Sequence, residues 1–210
     1  MTFRLWLVFA AALLSGSQAL AQNKVRTETI RPPAATPAPA KPSAHTAPPS
    51  QQSAADVPEI ITDLSLLPAA VARTRERILA AAQSGDLQKL LTVMQMNETM
   101  PIFSFSDEKD PVAFWKASYP DSDGIEVLSI VVTLLQTGYV HVGKGTPQEM
   151  YLWPYLARIP VKNLTSEQKV ELFRIITGND YKDMLDFGAY VFYRLGIGPD
   201  GTWHFFVAGN

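Results

Sequence analysis

The three histidines are the side chains of this cysteine-free chain that titrate near neutral pH, so they are the first candidates for acid–base chemistry. His45 lies in a proline-rich stretch, which leaves His141 and His204. Either could serve as the general base of a hydrolase if a carboxylate stood beside it. No Gly-x-Ser-x-Gly segment or other nucleophile motif accompanies them, and two histidines cannot make a three-histidine metal site. The sequence therefore assigns no catalytic residue, no metal and no cofactor.

A short aromatic run is the best candidate for a binding surface. Tyr151, Trp153 and Tyr155 alternate along one segment, and His141 lies nearby in the chain. Exposed Trp and Tyr suit the binding of sugars or peptides, because each joins a large apolar ring to a polar atom. Packing in the core explains the same residues and is the commoner role for such side chains. The binding prediction therefore depends on whether these rings reach the surface.

One glycine-rich segment resembles a phosphate-binding loop without completing it. Gly138–Gly145 reads G-x-x-x-x-G-K-G, so the hydroxyl residue that should follow Lys144 and hold magnesium is missing. The segment is also expected to follow a helix, whereas the motif needs a strand before it. A glycine-rich turn is the simpler interpretation.

An acidic segment resembles the middle of a calcium-binding loop. An EF-hand aligned on Gly124 would need side-chain ligands at Tyr119 and Ile130, which neither residue can supply. A looser acidic site remains an alternative to a solvated face of helix-capping aspartates. Its members would be Asp107, Glu108, Asp110, Asp121 and Asp123.

The composition sets the broad class of protein. Hydrophobic residues make up 47% of the 210 residues and charged residues 18%, which is enough apolar material for a core. The net charge of −2 gives no reason to expect nucleic-acid binding. The absence of cysteine excludes disulfides, thiolate metal sites, a cysteine nucleophile and a lipoprotein anchor.

The first 21 residues have the three parts of a secretory signal peptide. Arg4 supplies positive charge, Leu5–Leu14 is an unbroken apolar run, and Ala19-Leu20-Ala21 matches the small-x-small cleavage pattern. Cleavage is predicted between Ala21 and Gln22, with an uncleaved anchor or a buried helix as the alternatives. We therefore expect a periplasmic or secreted protein without a membrane span in its mature chain.

Residues 22–58 are predicted to be a disordered linker. This stretch is rich in Pro and Ala and nearly lacks large apolar side chains, so little burial would offset the entropy of ordering it. Residues 59–210 are predicted to form one globular domain, with 13 basic and 18 acidic residues.

The predicted fold class is α+β, with about six helices packed on a small C-terminal antiparallel sheet. Helical periodicity and capping residues dominate up to Phe187, including a Thr146–Glu149 capping box that should open a helix carrying the aromatic run. Aromatic and β-branched residues at 190–197 and 202–207 flank Gly198-Pro199-Asp200-Gly201, which predicts a hairpin. Tyr139–Val142 is the predicted third strand. The helices are predicted at 69–83, after 86, at 111–115, before 135, from 146, from 165 and at 180–187.

Two resemblances add to these patterns. The ending Asp200-Gly201-Thr202-Trp203, continued by H-F-F-V-A-G, resembles uncharacterised exported proteins of Gram-negative bacteria, which implies a periplasmic location. Ser84-Gly85-Asp86-Leu87 after an Ala-rich helix resembles the opening of NTF2-like domains, which implies a cone-shaped pocket between helices and sheet. The helical middle of this chain departs from that second family, which has strands there.

These observations support two functional hypotheses. The first is a non-catalytic periplasmic binding or accessory protein whose partner is an envelope protein or a glycan, with the linker presenting the domain. The alternative is a hydrolase of an envelope component that uses His141 or His204 with a carboxylate. A histidine within about 3 Å of an acidic side chain and facing a cleft would favour the hydrolase.

Overall fold

The computed structural model describes residues 57–209, which form six α-helices and a five-stranded antiparallel sheet. The predicted α+β class is confirmed. The proposed signal peptide, and the proposed linker as far as residue 56, lie outside the described residues. The helices are α1 (Ala69–Gln83), α2 (Leu87–Gln95), α3 (Pro111–Ser118), α4 (Glu126–Leu135), α5 (Ser166–Leu172) and α6 (Gly178–Phe187). The strands are β1 (Ile60–Ile61), β2 (Tyr139–Val142), β3 (Met150–Trp153), β4 (Arg194–Ile197) and β5 (Trp203–Val207).

Local capping chemistry sets most boundaries of the first helices. Gly85 ends α1 with a φ of +72°, and the Asp86 carboxylate accepts a hydrogen bond from the backbone N–H of Gln88 at 2.8 Å. Asp110 caps α3 in the same way. Asp123 and Glu126 have the spacing of a capping box, but Asp123 does not cap α4: it ends a preceding 3-10 turn in a left-handed conformation and pairs with Lys116 at 2.9 Å.

The sheet is a simple meander in which strands follow one another in the order β1-β2-β3-β4-β5. The predicted strands at 139–142 and at the C-terminal hairpin are present. The first hairpin strand starts at Arg194 rather than Tyr190, because Tyr190 belongs to an irregular segment in which its hydroxyl donates to the Tyr193 carbonyl at 2.9 Å. Strands β1 and β3 were not predicted.

Both edges of the sheet are short or covered. β1 has only two residues and pairs Ile60 with Val140. Along β5, the N–H of Ile102 donates to the His204 carbonyl at 2.9 Å and the N–H of Phe206 donates to the Ile102 carbonyl at 2.8 Å. Within residues 57–209, no helix has both the length and the apolar character needed to cross a bilayer.

The sheet is covered on both faces, and each face has its own core. Helices α1 to α4 cover one face, where Tyr139, Trp153 and Leu195 are buried among helix residues such as Val131. We call this the first core. On the other face, α5, α6 and the 3-10 turns at 155–158 and 161–163 cover Val140 and Leu152, which we call the second core. Residues alternate between faces along each strand, as the pleat requires.

A β-bulge in β5 adjusts this alternation. Ile197 pairs with Trp203 and Gly196 with Phe205, so His204 is an extra residue in β5. The bulge lets Trp203 and Phe206 both lie in the first core although they are three residues apart. Phe205 is left on the second face, where its ring occupies the space above Gly196 that a Cβ atom would fill.

The predicted helix from Thr146 is wrong: the segment is the turn between β2 and β3. Gly143 and Gly145 adopt φ values of +64° and +73°, and the Thr146 hydroxyl donates to the Gly143 carbonyl at 2.7 Å. Glu149, the expected capping acid, instead accepts a hydrogen bond from the N–H of Gly145 at 2.9 Å. Cross-strand pairing of β2 with β3 therefore outweighs the local helix signal.

The two helices of the second layer start with capping boxes. Thr165, where a helix is predicted to begin, forms one with Gln168, and Thr177 forms another with Asp180 at the start of α6. On α5, Val170 is 68% exposed, whereas Leu172 is buried. Helix α5 ends at Leu172, which is its buried residue, so the helix presents only a short apolar surface to the second core.

Candidate functional site

The aromatic run does not form one exposed patch. Tyr151 and Trp153 point from β3 into the first core, where the Trp153 ring centroid lies 5.1 Å from that of Tyr139. Tyr155 is buried in the second core, and its hydroxyl donates to Glu171 Oε2 at 2.6 Å. Burial and this carboxylate both raise the pKa of Tyr155. The rings therefore serve two different cores, and the geometry favours packing over ligand contact.

His141 does meet a carboxylate. Its Nε2 lies 2.8 Å from Oε1 of Glu149, and its ring stacks on Tyr151 with centroids 4.2 Å apart. The N–H of Gly145 and the contact with His141 together lower the pKa of Glu149 below its usual range. The pair thus ties the β2–β3 turn to β2. It lies on the first-core side of the sheet, since His141 and Tyr151 are cross-strand partners there.

His204 is isolated from such a partner. It is the exposed extra residue of the bulge in β5, and none of the described carboxylates forms an ion pair with it. Asp200, in the neighbouring turn, has its pKa lowered mainly by hydrogen bonds from Thr202. His45 lies outside the described residues.

Three of the five acidic residues considered as a looser metal site have separate structural roles. Asp110 caps α3, Asp123 pairs with Lys116, and Glu108 accepts hydrogen bonds from the backbone N–H groups of Lys109 and Asp110. Within the described part of the chain, no three His, Cys, Asp or Glu side chains come together in a way that could hold a metal ion.

A groove of about 1000 Å³ lies over the second face of the sheet. Met150 and Leu152 of β3 and Phe205 of β5 contribute its apolar floor. Its walls are the irregular segment 157–162 and residues 187–190 at the end of α6. The groove exists because the second layer of helices covers this face of the sheet only in part.

Three cations line this groove: Arg158, Lys162 and Arg194. We call it the arginine groove after the two guanidinium groups. None of the described residues that line it is acidic, and neither arginine forms an ion pair with a carboxylate of residues 57–209. One guanidinium N–H of Arg194 donates to the Gly209 carbonyl, and Nε of Arg158 is buried without a hydrogen-bond partner among the described residues.

The two guanidinium groups line the same groove, and the charge of Arg158 acts on Arg194. Burial lowers the pKa of Arg194, the nearby Tyr190 hydroxyl opposes this, and the positive charge of Arg158 lowers the pKa further. Like charges held together in a partly dry site repel one another, and the repulsion grows as water is removed. An anion placed between them would relieve it, so the groove is electrostatically suited to an anion.

A smaller cavity of about 180 Å³ lies between α1, α2 and the Gly198–Gly201 turn. Two of the residues that line it fasten the hairpin to the helices. The Thr74 hydroxyl donates to the Gly201 carbonyl at 2.7 Å, and Oδ1 of Asn97 accepts from the N–H of Trp203 at 2.9 Å. These contacts give this part of the cavity a structural role.

Sequence reasoning missed the arginine groove, although one signal was present. Arg194 interrupts the apolar strand V-F-Y-R-L-G-I, and a charge inside such a strand points to a partner or a site. The groove itself combines β2, β3, β4, β5 and α6, which no local pattern brings together.

No family model, curated protein or solved structure matches this chain. The functional argument therefore depends on the geometry and chemistry of the groove.

Proposed function

We propose that this protein is a non-catalytic binding protein of the cell envelope and that its arginine groove holds an anionic component of that envelope. The supporting observation is the pair Arg158 and Arg194, which share a groove with no acidic residue in its lining. Arginine suits this role because its planar guanidinium can donate two parallel hydrogen bonds to a carboxylate, sulfate or phosphate.

The charge balance of the domain makes this groove unusual. From residue 59 onward the chain has 13 basic and 18 acidic residues, yet three cations and no acids line the groove. Partly buried cations normally have a partner, since an unpaired charge is costly to remove from water. A bound anion would supply that partner, whereas a neutral glycan would leave both guanidinium groups unmatched.

Replacing Arg158 with glutamine should weaken the binding of small anions by tenfold or more, because a hydrogen bond to a charged group contributes about 1.5–3 kcal/mol. Inorganic sulfate and phenyl phosphate are suitable probes. Nuclear magnetic resonance titration should shift the backbone amides of Gly188 and Ala189, which line the groove.

Arg174→Gln is the matched control, because Arg174 is exposed and does not line the groove. This variant should bind both probes like the parent protein. An absence of shifts at the groove amides with either anion, or equal binding by the Arg158 and Arg174 variants, would refute the proposed site.

The proposed location outside the cytoplasm rests on the N-terminal signal pattern and on the resemblance to exported proteins. N-terminal sequencing of protein recovered from the periplasm or the medium of a Gram-negative host should start at Gln22. Recovery of full-length chain in the membrane fraction would show instead that the N-terminal segment is retained as an anchor.

The hydrolase alternative keeps one supporting observation, the 2.8 Å contact between His141 Nε2 and Glu149 Oε1. With Nε2 engaged, only Nδ1 could take a proton from a nucleophile. The pair also lies on the sheet face opposite the arginine groove. Release of acyl groups from envelope lipids or esters by the parent protein, lost in His141→Asn, would favour this alternative over binding.

A further inference from the structure

The apolar floor of the arginine groove narrows the class of ligand, if the proposed function holds. Met150 and Leu152 belong to the second face of β3, and Phe205 lies beside them across Gly196. Small hydrophilic anions would leave this floor in contact with water. A ligand with an apolar part would cover it and gain about 25 cal/mol for each Å² removed from water.

Arg194 and Met150 lie at different ends of the groove floor. The β3–β4 register places Met150 level with residue 198, four residues along β4 from Arg194. Four residues correspond to about 13 Å at the rise of an antiparallel strand. The site therefore has one charged end at Arg194 and an apolar end at Met150, with Leu152 level with Gly196 between them.

The rim of the groove carries both an exposed apolar ring and an exposed cation. Phe187, at the end of α6, lines the groove and is 60% exposed, which is unusual for so large an apolar ring. Lys162 is an exposed cation on the facing wall. A ligand with an apolar part would contact the ring and remove it from water, while its charged end stays within reach of cations.

We propose that the arginine groove binds a single amphiphilic molecule, with its anionic head group at Arg158 and Arg194 and its apolar chain along Leu152 and Met150. The occupant is one monomeric amphiphile, such as a fatty acid or a single-chain phosphate ester, because a groove of about 1000 Å³ suits one ligand of this size. The positive charges of the groove require a negatively charged head group. The apolar floor requires a tail that is apolar as well.

Isothermal titration calorimetry with hexyl, octyl and decyl sulfate, each below its micelle concentration, tests this proposal. Affinity should rise about twofold to fourfold for every added methylene, the range expected for partial to full burial. At equal chain length, octyl sulfate should bind at least tenfold more tightly than octyl glucoside or octyltrimethylammonium. Equal affinity for the three octyl compounds would overturn the assignment of the head group.

Two substitutions distinguish the contribution of the head group to affinity from that of the alkyl chain. Arg158→Gln should weaken all three alkyl sulfates by a similar factor and leave the increase per methylene unchanged. Met150→Gln should instead reduce the increase per methylene and leave inorganic sulfate binding unaltered. Met100→Gln is the control for an exposed methionine outside the groove and should change neither quantity.

The outcomes distinguish this inference from the proposed function. Binding of inorganic sulfate at the groove without any dependence on chain length would overturn the amphiphile and leave the anion site standing. Failure of every anion to bind would overturn both. A further experiment uses vesicles that contain an anionic phospholipid. If the vesicles captured the protein stably while monomeric alkyl sulfate did not bind, the target would be a membrane surface. That result would overturn the proposal.

Discussion

Replacing Trp153 with alanine should lower the free energy of unfolding by about 3–5 kcal/mol, the usual cost of emptying a buried tryptophan site. The side chain is 0% exposed and packs against Tyr139 in the first core. Its indole Nε1 has no hydrogen-bond partner among the described residues, so the loss is one of packing. Urea denaturation followed by far-ultraviolet circular dichroism measures this change.

Phe187→Ala is the control for Trp153→Ala, since it removes a ring that is largely exposed. Its effect on stability should stay within about 0.5 kcal/mol. If Trp153→Ala were equally mild and instead abolished ligand capture, Trp153 would be a contact residue, and the aromatic run would replace the arginine groove as the site.

Gly143→Ala should destabilise the protein by about 2–5 kcal/mol. Gly143 has a φ of +64°, and a Cβ atom added to it would lie 2.6 Å from the carbonyl oxygen of Gln148. Left-handed backbone costs a residue with a side chain about 1–2 kcal/mol, and overpacking against the fixed backbone adds about 1–3 kcal/mol. Thermal unfolding of the purified variant provides the measurement.

Gly145 lies in the same turn and provides a matched comparison. Its φ is +73°, but an added Cβ would meet no atom within 4 Å. Gly145→Ala should therefore show the conformational cost alone, about 1–2 kcal/mol. Equal stability of the two variants would contradict the close approach of Gln148 to Gly143.

The fold class could be predicted because many of its signals are local. Asp86 and Asp110 were recognised as helix caps because a carboxylate before an apolar, periodic segment satisfies N–H groups that have no other partner. The Gly198–Gly201 turn was equally clear, since Pro and Gly fix its backbone. Such features need no knowledge of distant residues.

The turn at Thr146 shows where local signals fail. Thr165-x-x-Gln168 and Thr146-x-x-Glu149 are the same pattern, yet only the first caps a helix. The second lies between two segments that pair across the sheet, and the cross-strand contacts of Tyr151 with His141 outweigh the helical preference. The secondary structure of this segment depends on its pairing with β2. That pairing cannot be identified from the segment's own sequence.

The candidate site could not be predicted for a related reason. Along the sequence, both helices of the second layer lie between Arg158 and Arg194. The two residues meet only at the groove, where that layer leaves the sheet uncovered. The aromatic run is a binding candidate because of its residue types. Residue type alone does not distinguish an aromatic ring packed in the core from one that contacts a ligand. Burial made that distinction for Trp153.

The edges of the sheet limit how another chain could associate with this domain. A strand from a second protein adds to a sheet through a row of free backbone groups, and aggregation starts in the same way. Here β1 offers only two residues, and Pro58, which has no N–H, lies two residues before them, while Ile102 already occupies donor and acceptor positions along β5. The edges of the described sheet therefore leave little free backbone for the addition of a strand from another chain.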